Sequence, residues 1–502
     1  MSVFPHLPLG QRIPASPHAV SCSLPTMRDV RGYEEKDPET MRHLTSGYPR
    51  FVVHPYARQL AAHLAATTPS LSGRTIWLTT SPHMAEALVD HLHQVDQRAE
   101  TLPDERIPGV SHPVSPTLFA RAKLFLQNIG GFVSSRTAEA ELVRLGQLAA
   151  PYPETRFAGD AGAEIRRVLR QAMPETGPED LLLAPSGMNA VYAAFRASAE
   201  VQAARGRTVW LQLGWLYLDT IAILKAYTRT PADYVYIRDP LDQDAIERIF
   251  ARHGHRIAGA FVELPTNPLI QTPDVPRLSA LCRQHGAHLL IDPSVASILN
   301  LNVLPHADLV VSSLTKYTAS EGDLTAGCIA VNPAAPDAAA LRRGSTALVE
   351  PVEPRDLARL ATQIGETKAV LARIHANTVR VVAFLESHPQ VRDVHWALRA
   401  ESRANYLKIA RAPDATGGMI TFTLRMPLAT FYDRLRLPKG PSFGMKTTLI
   451  CPFMYLAHYD LVSTPAGLAE LSASRLDADL LRLCCGVEPV EDIIGALAEA
   501  LG

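Results

Sequence analysis

The chain has 502 residues and a formal net charge of −1. That length calls for more than one folded core, and that charge gives nucleic acid or an anionic membrane surface no electrostatic hold. Apolar residues make up 47% and charged residues 20%, an ordinary globular composition, and the longest apolar run, "TVWLQLGWLYLDTIAILKAY", is interrupted by Gln212, Asp219 and Lys225, which excludes a membrane span.

The first 150 residues are rich in proline. Their start, "MSVFPHLPLGQRIPASPHAV", lacks the basic region of a secretory signal. The run "HPYARQLAAHLAATT" predicts a helix and "GRTIWLTTS" a strand, while "DQRAETLPDERIPGVSHPVSP" reads as a loop. This N-terminal extension offers no repeat and no clear site.

From 151 to 345 short apolar runs alternate with helical ones. The strand-like runs are "DLLLAP", "RTVWLQLGW", "DYVYIRD", "IAGAFVELP", "AHLLIDPS", "ADLVVSS" and "TAGCIAVN". Strands that are apolar along their whole length, most of them leading into a helix, predict a mostly parallel α/β sheet covered on both faces. From 346 to 502 a long helical pattern, "ARLATQIGETKAVLARIHANTVRVVAFLESH", precedes strand-like "GMITFTLRM" and "LLRLCCGVE" and a closing helix at "VEDIIGALAEAL". This predicts a smaller α+β domain joined by a long helix.

The six cysteines include no CxxC pair, which suits a reducing cytoplasm and argues against a zinc site or a disulfide framework. His285 and His288 read as a helix end and the start of the next strand rather than as metal ligands.

Ligands of open parallel sheets sit beyond the carboxyl ends of the strands. The polar residues there are Ser186 and Gly187, Trp215 and Tyr217, Glu263 and Asn267, Asp292 and Ser294, and Ser313, Thr315 and Lys316. Ser186-Gly187-Met188 opens a helix, so it reads either as an anion site or as a simple serine cap. Asp292 ends an apolar strand and needs several hydrogen-bond donors or a cationic partner, either an arginine or a protonated ring nitrogen. Lys316 reads as a phosphate clamp, a solvated lysine or a Schiff-base lysine. An anion site, a strand-end carboxylate and a strand-end lysine, in that order, describe a pyridoxal 5'-phosphate pocket.

Five motifs sharpen this reading. "SSLTKYTASEGDLTAG", "PSGMNAV", "VELPTNPLI", "LLIDPSVAS" and "LRLCCGVEPVEDII" resemble, in order, those of the Cys/Met-metabolism PLP-dependent enzymes, the cystathionine gamma-synthase family. "ASPHAVSCSLPT", "GYPRF", "SSRTAE" and "GPSFGMKTTLICPFMYLAHY" are similar to stretches of its long, fungal-type branch, so the resemblance covers nearly the whole chain.

The resemblance implies the aspartate-aminotransferase-like fold (fold type I), with the smaller C-terminal domain and the N-terminal extension already described. It implies that Lys316 binds the cofactor and moves protons, and that Asp292 pairs with the ring nitrogen. Ser186, Gly187, Met188, Ser313 and Thr315 would surround the phosphate, and Ser294 would be a further cofactor-binding residue. Arg482 would take the substrate α-carboxylate, and Asn267 would lie near the phenolic oxygen or that carboxylate. Where the family stacks a tyrosine on the ring this chain has Leu213, leaving the task to Trp215, to Tyr217 or to an aliphatic contact. Arg156, in "ETRF", stands for the phosphate arginine lent by a neighbouring subunit. Thr447 and Thr448 occupy a region of side-chain selectivity, with Thr448 toward the substrate.

The implied activity is γ-replacement on an O-activated homoserine by cysteine, giving cystathionine. A β- or γ-lyase, a bond-forming member of a specialised amino-acid pathway, and a cofactor-free binding homologue are the alternatives. The implied partners are small amino-acid substrates and further copies of the chain, in a homodimer or homotetramer.

Overall fold

The computed structural model of the protein describes residues 4–49 and 51–502. A short ribbon pairs β1 (Arg12–Ile13) with β2 (Ser21–Cys22). A three-stranded antiparallel sheet follows, built from β3 (Arg74–Leu78), β4 (Glu100–Thr101) and β5 (Gly109–Pro113), with β5 in the middle. β5 lies in the segment read from sequence as a loop. Flanking prolines hid it, yet Val110 is fully buried and His112 accepts the Trp77 indole N–H at 3.0 Å.

All seven strand-like runs of the middle region become strands of one sheet. In chain order they are β6 (Leu181–Ala184), β7 (Val209–Leu213), β8 (Tyr234–Ile237), β9 (Ile257–Glu263), β10 (His288–Asp292), β11 (Leu309–Ser313) and β12 (Gly327–Val331). Their spatial order is β6-β12-β11-β10-β9-β7-β8, and only β12 runs against the others. Alternate residues of a strand enter different cores. Leu289 and Ile291 join one apolar cluster, and Leu290, between them, joins the cluster on the other face. Burial on both faces is why these strands read as unbroken apolar runs.

The C-terminal part carries a second, antiparallel sheet of β13 (Val391–Trp396), β14 (Met419–Leu424), β15 (Leu449–Pro452) and β16 (Leu481–Cys484), ordered β13-β14-β16-β15. The long helical pattern before it is two helices, Pro354–Ile364 and Thr367–Ser387, divided at Gly365. The N-terminal segment packs into this smaller domain. Leu24, Val30, Leu44 and Val52 share one buried cluster with Phe422, Phe431, Leu483 and Leu497. The Leu24 N–H donates to the Lys439 carbonyl at 2.9 Å, and the buried Lys439 ammonium donates to the Pro25 carbonyl at 2.5 Å. No helix among the described residues is long and apolar enough to cross a membrane.

Candidate active site

The sheet order brings the carboxyl ends of β6, β11, β10 and β9 to one cavity. After β6, Ser186 caps the helix Gly187–Ala203, its hydroxyl accepting the Asn189 N–H at 3.1 Å. The first-turn N–H groups of a helix have no partner inside the helix and favour an anion. Here they open on the cavity beside Ser313 and Thr315. Gly187 is required by close approach, since a Cβ there would lie 2.9 Å from the Ser313 Cβ.

At the end of β10, Asp292 is held by Ser294. One Asp292 carboxylate oxygen accepts the Ser294 N–H at 2.9 Å and its hydroxyl at 2.5 Å. The Ser294 hydroxyl in turn accepts the Ser313 N–H at 2.8 Å, tying β10 to β11. Burial raises the Asp292 carboxyl above its ordinary range, against the hydrogen bonds from Ser294 and the charge of Lys316. In the neighbouring strand Glu263 stands level with it, lines the same cavity and accepts the Tyr217 N–H. Burial, then the nearby Asp292, push the Glu263 carboxyl well above its usual value. Two carboxylates on one buried floor call for a cation between or above them.

Lys316 reaches the cavity just after β11. Its ammonium meets the Tyr48 hydroxyl and lies 3.5 Å from the Ser442 hydroxyl. It sits 4.6 Å from the Tyr48 ring centre and 4.5 Å from that of Phe443. Gly444 admits this approach: it has φ +76°, and a Cβ there would lie 3.2 Å from the Lys316 Cβ. Opposite, Arg482 on β16 is 7% exposed, donates to the Ser442 carbonyl at 3.2 Å and stacks over Phe453 at 4.7 Å. It has no ion pair with a carboxylate among the described residues. Its charge is felt by the Glu263 carboxyl in the same cavity without a direct salt bridge, and a buried guanidinium so placed can receive a further carboxylate.

The cavity gathers most of the residues expected from sequence: Ser186, Gly187, Met188, Tyr217, Asn267, Asp292, Ser294, Ser313, Thr315, Lys316 and Arg482. Three others lie elsewhere. Trp215 is not part of the cavity lining: it donates its indole N–H to His458 at 2.9 Å and packs with Met454 and with Phe453, the latter itself a cavity residue. Thr448 is fully buried, and its N–H and hydroxyl both bond Glu488, at 2.8 and 2.7 Å, which makes it part of the scaffold rather than a substrate contact. Arg156 is half-exposed and reaches Glu154 at 3.5 Å, outside the cavity of its own chain. Glu321, whose role the sequence left open, pairs with Lys446 at 2.7 Å.

Sequence reasoning assigned no role to Tyr48, Phe51, Ser442, Phe443, Cys451 and Phe453, all of which line the cavity. The first 150 residues, read as holding no clear site, supply two of these. The signal was present in "GYPRF" and "GPSFGM", but neither follows a strand of the large sheet.

Two observations test pyridoxal phosphate against these residues. The buried side-chain oxygen of Asn267 has no hydrogen-bond partner among the described residues, leaving an acceptor for a ligand hydroxyl or ammonium. The helix N-terminus, the buried carboxylate and the lysine match a phosphate, a ring N–H and an aldehyde respectively. The residues fit the group.

Residues 161–502 match the family described as Cys/Met metabolism PLP-dependent enzyme. A relative from Streptantibioticus cattleyicolor, L-2-amino-4-chloropent-4-enoate dechlorinase/desaturase, is 38% identical over 491 residues, spanning 97% of each chain. Cystathionine gamma-synthase of Neurospora crassa is 26% identical over 618 residues, covering 99% of this chain and 98% of that one. Among solved structures, cystathionine gamma synthase from Xanthomonas oryzae pv. oryzae, in complex with aminoacrylate and cysteine, superposes with a TM-score of 0.57 at 21% identity. It covers 68% of this chain and 86% of its own. Cystathionine gamma-lyase from Lactobacillus plantarum, complexed with L-serine, gives 0.57 at 20% identity, covering 70% and 88%. These structural matches establish the fold. The chain belongs to the Cys/Met-metabolism PLP-dependent enzymes.

Proposed function

For a PLP-dependent enzyme of this family, we propose chemistry at the γ-carbon of an L-α-amino acid: expulsion of a γ leaving group, followed by elimination or by entry of cysteine to give cystathionine. The observation that carries the reading is Arg482, a buried guanidinium with no ion-paired carboxylate among the described residues, facing the same cavity as Lys316. An α-carboxylate on Arg482 sets the amino acid's Cα and side chain within the reach of that amine.

Pyridoxal phosphate, when bound, supplies an aldehyde for the amino group and a ring that accepts electrons from Cα. In this reading the N-terminus of the helix Gly187–Ala203, with Ser313 and Thr315, holds the phosphate. Asp292 keeps a proton on the ring nitrogen, and Asn267 receives the phenolic hydroxyl or the substrate. Tyr217 is the ring neighbour. Lys316 Nζ takes the proton from Cα and passes it on, so that the amine is free again as a base. The same amine then takes a second proton, from Cβ, and the γ substituent departs with its bonding pair.

Elimination is supported by the S. cattleyicolor relative, whose name puts chlorine on C4, the γ-carbon, and describes its loss. Replacement is supported by the N. crassa relative, named as a synthase and matched across the whole chain. A panel of O-acetyl-, O-succinyl- and O-phospho-L-homoserine and a 4-chloro amino acid, each with and without cysteine, separates the two outcomes. Keto acid or unsaturated amino acid without cystathionine would leave elimination alone, and no turnover of any member would refute γ chemistry. A cytoplasmic homodimer or homotetramer belongs to the same reading, and sedimentation of the purified enzyme checks the assembly.

A further inference from the structure

A second cavity adjoins the first, and the two share Tyr48, Phe51, Leu218, Pro441, Leu456 and Ala457 as lining. The rest of its lining comes from the N-terminal segment and includes Cys22, Leu24, Val52, Glu34 and Lys36. Apart from those two, its described lining carries no charge.

Glu34 ends the helix Met27–Glu34 and is only partly exposed. Its carboxylate has neither an ion pair nor a hydrogen bond among the described residues. Burial raises it to about 7, against the charges of Lys36 and of Lys123 from the helix Pro116–Ile129. Lys36 has φ +59°; its ammonium donates to the Tyr33 carbonyl at 2.9 Å and lies 4.3 Å from the Tyr33 ring centre. A half-buried carboxylate without a donor is costly and is satisfied by an incoming ammonium. An ammonium two residues away supplies the complementary charge. An otherwise uncharged corridor beside the first cavity thus presents one acid and one base, the pattern of a zwitterion.

We propose that this corridor receives a second amino-acid head, its ammonium on Glu34 and its carboxylate on Lys36, while Arg482 holds the first head. The inference rests on reading Arg482 as the α-carboxylate site, and it names the substrate class: a γ-substituent or nucleophile that is itself an amino acid. A small leaving group such as chloride or acetate would occupy only the inner cavity.

Calorimetry on the cofactor-loaded enzyme tests this with two ligands that carry no leaving group, so neither is turned over. They are 2,7-diaminosuberate, with two amino-acid heads, and L-norleucine, with one. The expected result is binding of the two-headed ligand tighter by about 10-fold or more, as hydrogen bonds between charged groups give. Glu34→Gln and Lys36→Gln should each remove most of that advantage and leave norleucine binding unchanged. Equal affinity of the two ligands, an advantage retained in both variants, or equal weakening of both ligands overturns the corridor. Failure to bind either ligand overturns it too, through Arg482. If the two-headed advantage holds while the homoserine panel gives no turnover, the γ-chemistry reading has failed and the corridor has not.

Discussion

The floor and the roof of the cavity are built on different plans. On the floor each polar residue lies within a few positions of a strand of the large sheet: Ser186, Glu263, Asp292, Ser313, Lys316. The roof draws Tyr48 and Phe51 from the N-terminal segment, Ser442 and Phe443 from a loop, and Phe453 and Arg482 from around the small sheet. The floor is polar and held by a backbone-tied hydrogen-bond chain from Asp292 through Ser294 to Ser313. The roof is mostly aromatic, and its ring faces meet both its own Arg482 and the ammonium of Lys316 rising from the floor. A floor of this kind suits a cofactor common to many reactions, and a roof of this kind chooses what reacts.

If that division holds, substitutions in the floor should cost cofactor chemistry and those in the roof should cost substrate binding. The largest effect belongs to Lys316→Ala. Turnover should fall by roughly 10⁴-fold, as loss of both covalent attachment and proton transfer implies. The visible band that borohydride bleaches in the parent should be absent. Asp292→Asn should follow, with about a 10²-fold loss of turnover and easier loss of cofactor on dialysis, because a neutral amide does not hold a ring proton. In the roof, Arg482→Lys should raise KM by about 10- to 100-fold, since an ammonium lacks the guanidinium fork. Its visible spectrum should match the parent's. A spectrum changed as much by Arg482→Lys as by Asp292→Asn would erase the distinction.

The smallest effect sharpens the electrostatics of the floor. The folded Glu263 carboxyl is raised above its unfolded value, so the folded state holds the proton longer. Stability of the cofactor-free protein should therefore fall as pH rises from about 4 through that raised value. Glu263→Gln removes the charge and keeps an oxygen for the Tyr217 N–H. It should be level with the parent near pH 4 and the more stable of the two near pH 8. Urea unfolding of both apoproteins across that range measures the difference.

The same division explains what the sequence made legible. A strand apolar along its length announces itself, and the residue after it has a fixed address, so Asp292 and Lys316 could be read and the sheet with them. Trp215 was drawn in by the same rule, but it is not part of the cavity lining, and His458 takes its N–H. Strand ends fix a residue's position better than its direction. Thr448 was placed by analogy of position, and its bonds to Glu488 answer to the scaffold. Tyr48 and Ser442 meet across 394 positions, with their hydroxyls 2.6 Å apart. No local pattern records such a meeting, because it is fixed by the packing of Leu24, Leu44 and Val52 into a core 400 residues away. β5 escaped for a related reason: its burial comes from its two neighbours, not from its own alternation.

That packing bears on how the protein can be shortened. A chain trimmed to its family-matched segment, 161–502, would keep the whole floor and Arg482. It would leave the smaller domain with holes where Leu24, Val30, Leu44 and Val52 had been, each vacated side chain costing on the order of 2 kcal/mol. It would also strip Tyr48 from Lys316 and turn the corridor into open surface. The shortened protein could still be yellow, but it would have lost the wall against which a substrate is measured.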